Sequence, residues 1–142
     1  MAQDAAIETL LRRTRRIAVV GASDRPDRPS HGVIRRLLQA GYEVVPVNPR
    51  ADEVLGIPTV DALSDIEGPV DLVDVFRRSE HLPQVAEEAV DIGAPAIWLQ
   101  SGLISDAARQ AAHDAGMTYV EDRCLAVEVA VRGITAPADG SS

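Results

Sequence analysis

The chain has 142 residues, 46% of them hydrophobic and 25% charged. That is enough for one domain with its own core, too little for two of ordinary size, and unlike a disordered or collagen-like chain. Its 22 acidic and 14 basic side chains leave a net charge of -8, the wrong sign for general attraction to nucleic acid or an anionic membrane.

No apolar run reaches bilayer length, and Met1-Ala2-Gln3-Asp4 lacks the basic start and apolar stretch of a secretory signal. The expectation is a cytoplasmic protein with neither nucleic acid nor membrane as a partner. Cys124 is the single cysteine and has no internal disulfide partner, while His31, His81 and His113 are too dispersed for a zinc site, so no metal is expected. All fourteen basic residues are arginine. Without lysine there is no Schiff-base nucleophile and no P-loop lysine, and internal anions must be met by guanidinium groups or backbone amides.

In chain order, a helix is predicted from about residue 3 to 13, followed by short apolar runs alternating with helical stretches, the α/β pattern. Arg16–Gly21 is β-branched and continuous, as expected of a strand buried on both faces. The next helix is predicted to start near Ser30, with that side chain as its cap, to bury Val33, Ile34, Leu37 and Leu38, and to end at Gly41. Tyr42–Val47 reads as the second strand, with Pro46 pointing to an irregular or terminal position, and Asn48-Pro49 closes it. Val70–Phe76 is the third strand and is followed by a helix from about Glu80 to Ile92. Ala96–Gln100 is the fourth strand, Ser105 caps a helix through His113, and Met117–Val120 is the fifth strand. Gly41, Gly93 and Gly116 all fall where a helix reverses into a strand.

These elements predict a single doubly wound, Rossmann-like α/β domain over residues 1–132 with a mainly parallel five-stranded sheet. The expected strand order is 3-2-1-4-5, which places a ligand crevice at the carboxyl ends of strands one and four. Residues 133–142 read as a flexible tail.

The loop from Gly21 to Gly32 joins the first strand to its helix and carries the most chemistry. Gly21 permits close backbone approach, helix-terminal amides can receive a pyrophosphate, and Ser23 and Ser30 add hydroxyls. The G-x-G-x-x-G fingerprint of dinucleotide-binding sheets is absent, since Ala22 and Ser23 follow Gly21. Nor does the second strand end in the carboxylate that holds an NAD ribose; it ends in Asn48-Pro49-Arg50, compatible with a phosphorylated ribose. Coenzyme A and NADP both fit that description, with Arg25, Arg28 and Arg50 as candidate phosphate clamps.

Five segments carry a resemblance: Val19–Ser23, Gly41–Pro49, Val75–Arg77, Ala96–Gly102 and Asp122–Cys124. Over roughly residues 14–128 they resemble the stand-alone CoA-binding domain proteins, which are similar to the N-terminal CoA-binding domain of the succinyl-CoA synthetase α subunit. The resemblance implies that Gly21, Ala22 and Ser23 face the pyrophosphate of coenzyme A and that Asn48 and Pro49 border its adenosine. It also implies that Val75, Phe76 and Arg77 form the opposite wall, with Gln100 and Gly102 near the pantetheine arm. The synthetase's phosphorylated histidine belongs to a second domain that does not occur in this sequence, so its activity does not carry over.

The function expected is reversible binding of coenzyme A or an acyl-CoA by a non-catalytic module, with no protein partner identified. Two alternatives stand beside it: an NADP-dependent oxidoreductase, and a regulatory or interaction protein with a vestigial nucleotide pocket. An oxidoreductase needs a substrate-side proton donor, for which the sequence offers no convincing candidate.

Overall fold

The computed structural model describes residues 2–137. In chain order they form α1 (Ala2–Arg13), β1 (Arg16–Val20), α2 (Pro29–Gln39), β2 (Glu43–Val47) and a small hairpin, β3 (Glu53–Val54) with β4 (Ile57–Pro58). There follow β5 (Leu72–Val75), α3 (Leu82–Asp91), β6 (Ala96–Leu99), α4 (Asp106–Asp114), β7 (Thr118–Val120) and α5 (Leu125–Val131), with single 3-10 turns at Leu63–Asp65 and Ser79–His81.

The predicted α/β class and five-stranded sheet hold: β2, β1, β5, β6 and β7 lie side by side in that order, and every pair is parallel. Successive strand residues face opposite sides, which builds two cores. Ile17, Val19, Leu72 and Trp98 pack with α1, α2 and α5 on one face; Ala18, Val20, Val73, Ile97 and Leu99 pack with α3 and α4 on the other.

The strand order differs from the expected 3-2-1-4-5. The third long strand, β5, lies beside β1 and not outside β2, giving 2-1-3-4-5 among the five long strands. Pro46 supplies the physical reason. Gly21 N–H bonds to the Val47 carbonyl inside the ladder, whereas Val60 N–H bonds to the Pro46 carbonyl and Asn48 N–H to the Val60 carbonyl outside it. Residue 46 therefore turns its backbone outward, where a missing N–H costs the β1 ladder nothing but caps further growth of the sheet. The β3–β4 hairpin and Val60 sit beside that edge, with a single bridge from Val60 to Val47. As a result the chain reverses its direction of travel between β1 and β5, and the crevice moves from strands one and four to the carboxyl ends of β1 and β5.

Helix termini follow the sequence signals with one exception. Ser105 caps α4 by accepting the Ala108 N–H at 3.1 Å. Ser30 does not cap α2. Pro29 occupies the first turn, Arg28 is the N-cap residue without a side-chain bond, and the buried Ser30 hydroxyl instead accepts the Ser23 N–H at 3.0 Å.

The amino end of the sheet is closed by its own charges. Asp71 Oδ2 accepts the N–H groups of Arg15 and Arg16, each at 3.0 Å. Arg16 pairs through Nε with Glu43 at 2.9 Å and donates through Nη1 to the carbonyls of Glu67 and Pro69. After α5, Gly133 turns the chain with φ +63°, Ile134 enters the core, and Ala136 N–H bonds to the Ala40 carbonyl at 2.8 Å. The tail expected from residue 133 is thus anchored through Ala136, and residues 138–142 of that expectation lie outside the described residues.

Candidate functional site

The crevice opens where β1, β2, β5 and β6 end. Gly21 leaves β1 with φ +85°, and a Cβ there would collide with the Phe76 carbonyl oxygen at the end of β5. The glycine thus lets two strand ends pass at close contact, which fixes the floor of the site. Phe76 N–H bonds to the Val20 carbonyl at 2.8 Å and continues that seam.

Hydrogen bonds within the β1–α2 loop set its path. Ser23 N–H reaches back to Ser30 Oγ, Arg25 N–H donates to Ser23 Oγ at 3.1 Å, and Arg28 N–H donates to the Arg25 carbonyl at 3.1 Å. Asn48 ties the end of β2 to this loop. Its Nδ2 donates to the Ala22 carbonyl at 2.7 Å, and its Oδ1 accepts the Arg50 N–H at 2.8 Å. At the far wall Gln100, only 6% exposed, accepts the Leu125 N–H through Oε1 at 3.2 Å, binding the end of β6 to the start of α5.

These elements enclose a cleft of about 990 Å³, continuous with a second hollow of about 580 Å³. Gly21, Asn48, Arg50, Arg77 and Arg78 border both. The larger part is further lined by Ser23, Arg25, Arg28, Ser30, Phe76 and Gln100, and the smaller part adds Pro49. Most of the residues singled out from sequence are therefore brought together. Three are not at its surface. Ala22 and Val75 are fully buried, and Gly102 is exposed in the β6–α4 loop, where its N–H donates to Asp122 Oδ1 at 2.7 Å.

The lining further includes Arg78, Ser101, Leu103 and Val33, and the smaller hollow Asp61, His81 and Glu88. Arg78 had a visible signal, its position beside Arg77 just after the third predicted strand, but the pair reads equally as a solvated turn. Cys124, half-buried, also lines the cleft.

The electrostatics of the larger cleft are lopsided. It carries Arg25, Arg28, Arg50, Arg77 and Arg78 against a single lining carboxylate, Asp24. Arg25 has a loose exposed pair with Asp27 at 3.4 Å, whereas Arg28, Arg50, Arg77 and Arg78 have no ion pair among the described residues. Against the protein's net charge of -8, this is a concentrated cationic pocket. One further titratable group lies below it. Asp74 on β5 is completely buried between its register neighbours Val19 and Trp98, and neither carboxyl oxygen has a hydrogen-bond partner. Burial holds its pKa well above the usual carboxylate range.

Comparison with known proteins decides the family, because residues 15–130 match the family described as the CoA binding domain. The chain belongs to that family. A Bacillus subtilis (strain 168) relative, "Uncharacterized protein YneT", is 51% identical over 127 residues, spanning 89% of this chain and 94% of that protein. A solved structure of a "hypothetical protein from Pyrococcus horikoshii OT3" superposes with a TM-score of 0.87 at 35% identity, covering 90% of each chain. "Acetate--CoA ligase [ADP-forming] II" of Archaeoglobus fulgidus is 28% identical over 101 residues, which are 69% of this chain but only 15% of the ligase. Relatives of this CoA-binding domain thus include both chains of similar length and parts of much longer ligases. Among the described residues no helix is long and apolar enough to cross a membrane, and no group of three or more His, Cys, Asp and Glu is placed to hold a metal ion.

Proposed function

We propose that this protein binds coenzyme A or an acyl-CoA reversibly in the cleft at the carboxyl ends of β1 and β5, and that it performs no chemistry of its own. The observation that carries the reading is the set of arginines without carboxylate partners on a cleft of a CoA binding domain fold. Coenzyme A presents a pyrophosphate and a ribose 3'-phosphate, which planar guanidinium groups and helix-terminal amides recognise well.

In this reading the backbone of Gly21–Ser23 and the start of α2 meet the pyrophosphate, with Ala22 contributing main chain only. Arg25, Arg28, Arg50 and Arg77 supply positive charge for the phosphates, and Arg78 joins them. Asn48 and Pro49 border the adenosine, Phe76 walls the opposite side, with the buried Val75 supporting it from behind, and Gln100 orients the pantetheine arm. Gly102 acts at a distance, by shaping the loop that follows Gln100. The lining offers arginine, serine and amide groups suited to holding a ligand, and among the described residues no serine, histidine and carboxylate are hydrogen-bonded in a relay there. A cytoplasmic location and the absence of nucleic-acid and membrane partners belong to the same proposal.

Native mass spectrometry of the freshly purified protein, followed by thermal titration with CoA, dephospho-CoA, NADP and NAD, tests it. The expected result is a co-purifying adduct of CoA or acyl-CoA mass, with CoA the strongest stabiliser, worth about 2.7 kcal/mol at one hundred times its Kd. Stronger stabilisation by NADP than by CoA rejects the reading in favour of a dinucleotide enzyme, and no stabilisation by any nucleotide favours a vestigial pocket.

A further inference from the structure

Helix α5 carries two apolar stripes, and the fold uses one. Leu125, Ala126 and Val129 enter the core, whereas Val127 and Val131, four residues apart and on a shared helix face, are 51% and 73% exposed. They form one wall of a groove of about 590 Å³ between α2 and α5, with Ala126 and Ala130 beside them and Val33 and Gly32 on the α2 side. Arg35, Arg36 and Gln39 make the groove's polar rim. Among the described residues nothing covers the two valines.

The groove is not separate from the cleft. Pro29, Val33 and Cys124 border both, at the end where Gln100 holds the start of α5. From that shared end it follows α2 toward Gln39, about 15 Å of helix at the rise of 1.5 Å per residue. A ligand with phosphates at the cleft's arginines and a thioester near Gln100 would meet this groove, with its valine wall on α5, beyond the thioester.

We propose that this groove accommodates the alkyl chain of a medium-chain acyl-CoA, making the protein selective for such thioesters over free or short-acyl coenzyme A. The proposal rests on the CoA-binding reading and adds the acyl class to it. The α5 wall of Ala126, Val127, Ala130 and Val131 is apolar and matches an unsubstituted alkyl chain, Arg35, Arg36 and Gln39 stand on the α2 side, and the continuity at Val33 and Cys124 gives that chain a route from the thioester.

The test is calorimetric titration of free CoA, acetyl-CoA and octanoyl-CoA into wild type, Gly32→Leu and Val127→Asp. A Cβ at Gly32 meets nothing within 4 Å, so leucine there fills the groove without straining α2, and Val127 is exposed enough to accept a carboxylate. Octanoyl-CoA is expected to bind wild type about tenfold or more tightly than acetyl-CoA, since each methylene removed from water contributes up to about fourfold. Both variants are expected to reduce that preference to about twofold while leaving the Kd for free CoA within about twofold of wild type. Equal affinity of wild type for acetyl-CoA and octanoyl-CoA overturns the proposal. So does a preference that survives both variants, and if light scattering then shows Val127→Asp dissociating a dimer, the groove is an interface between copies. Failure of the CoA-binding reading looks different: free CoA itself gives no binding heat, and the acyl proposal falls with it.

Discussion

The two ends of the sheet treat arginine in opposite ways. At the amino end, Arg16 is fixed by Glu43 and two carbonyls, and Asp71 gathers the backbone of Arg15 and Arg16. At the carboxyl end, Arg28, Arg50, Arg77 and Arg78 border the cleft with no carboxylate paired to them among the described residues. The residue type is the same at both ends, so composition does not distinguish the roles. What differs is whether the fold already supplies the counter-charge. An end that satisfies its own cations is structural, and one that leaves them open is suited to an anionic ligand.

The largest expected effect breaks the comparison at its seam. Gly21→Val forces a side chain into the Phe76 carbonyl and a β-branched residue into a left-handed conformation, and should cost about 3 kcal/mol or more in urea unfolding. A Gly21→Val protein as stable as wild type would show that β1 and β5 do not cross as closely as described.

Asp74, between the two ends, has neither of their solutions. Above about pH 4 the unfolded chain releases this proton while the folded chain keeps it, so stability falls by about 1.4 kcal/mol per pH unit until the raised folded pKa is passed. Asp74→Asn removes that slope, so its stability relative to wild type should rise with pH above about 4. Parallel stability curves for the two proteins would mean that Asp74 ionises in the fold as easily as in the unfolded chain.

Asp71→Ala sharpens the contrast from the amino end. It orphans two backbone N–H groups and should cost about 1–3 kcal/mol of stability, with CoA affinity unchanged once folded protein is compared. The mirror experiment is Arg28→Ala or Arg77→Ala. Both side chains are exposed and have no ion pair among the described residues, so thermal unfolding should move by no more than about 0.5 kcal/mol, while CoA binding weakens by about 1.5–3 kcal/mol. A stability loss without an affinity loss would place these arginines with Arg16.

Much of this contrast was legible in the sequence because it depends on local signals. The β-branched run of β1, the glycine after it, the Ser105 cap and the glycines closing α2, α3 and α4 each act within a few residues. Strand order was not, because it depends on which edge Pro46 faces, and that follows from long-range pairing with β1 and Val60. The β3–β4 hairpin was hidden by its turn, in which Leu55 takes φ +51° before Gly56, a leucine where a turn signal would show asparagine. Helix α5 has only seven residues, and the exposed stripe of Val127 and Val131 blurs the period of its buried one. Ser30 shows the same limit within the site. It reads as a cap from its position, yet with Pro29 already in the first turn its hydroxyl serves the loop instead, and the cleft wall depends on that bond.

If the open arginines at the carboxyl end hold the phosphates of coenzyme A, removing the ribose 3'-phosphate must weaken binding. Calorimetry of the wild-type protein with CoA and with dephospho-CoA tests it directly, since the two ligands differ only in the ribose 3'-phosphate. One-site binding of CoA is expected, with dephospho-CoA weaker by about tenfold or more, the value of one charged hydrogen bond. Equal affinity for the two ligands, or no binding of either, would contradict the account.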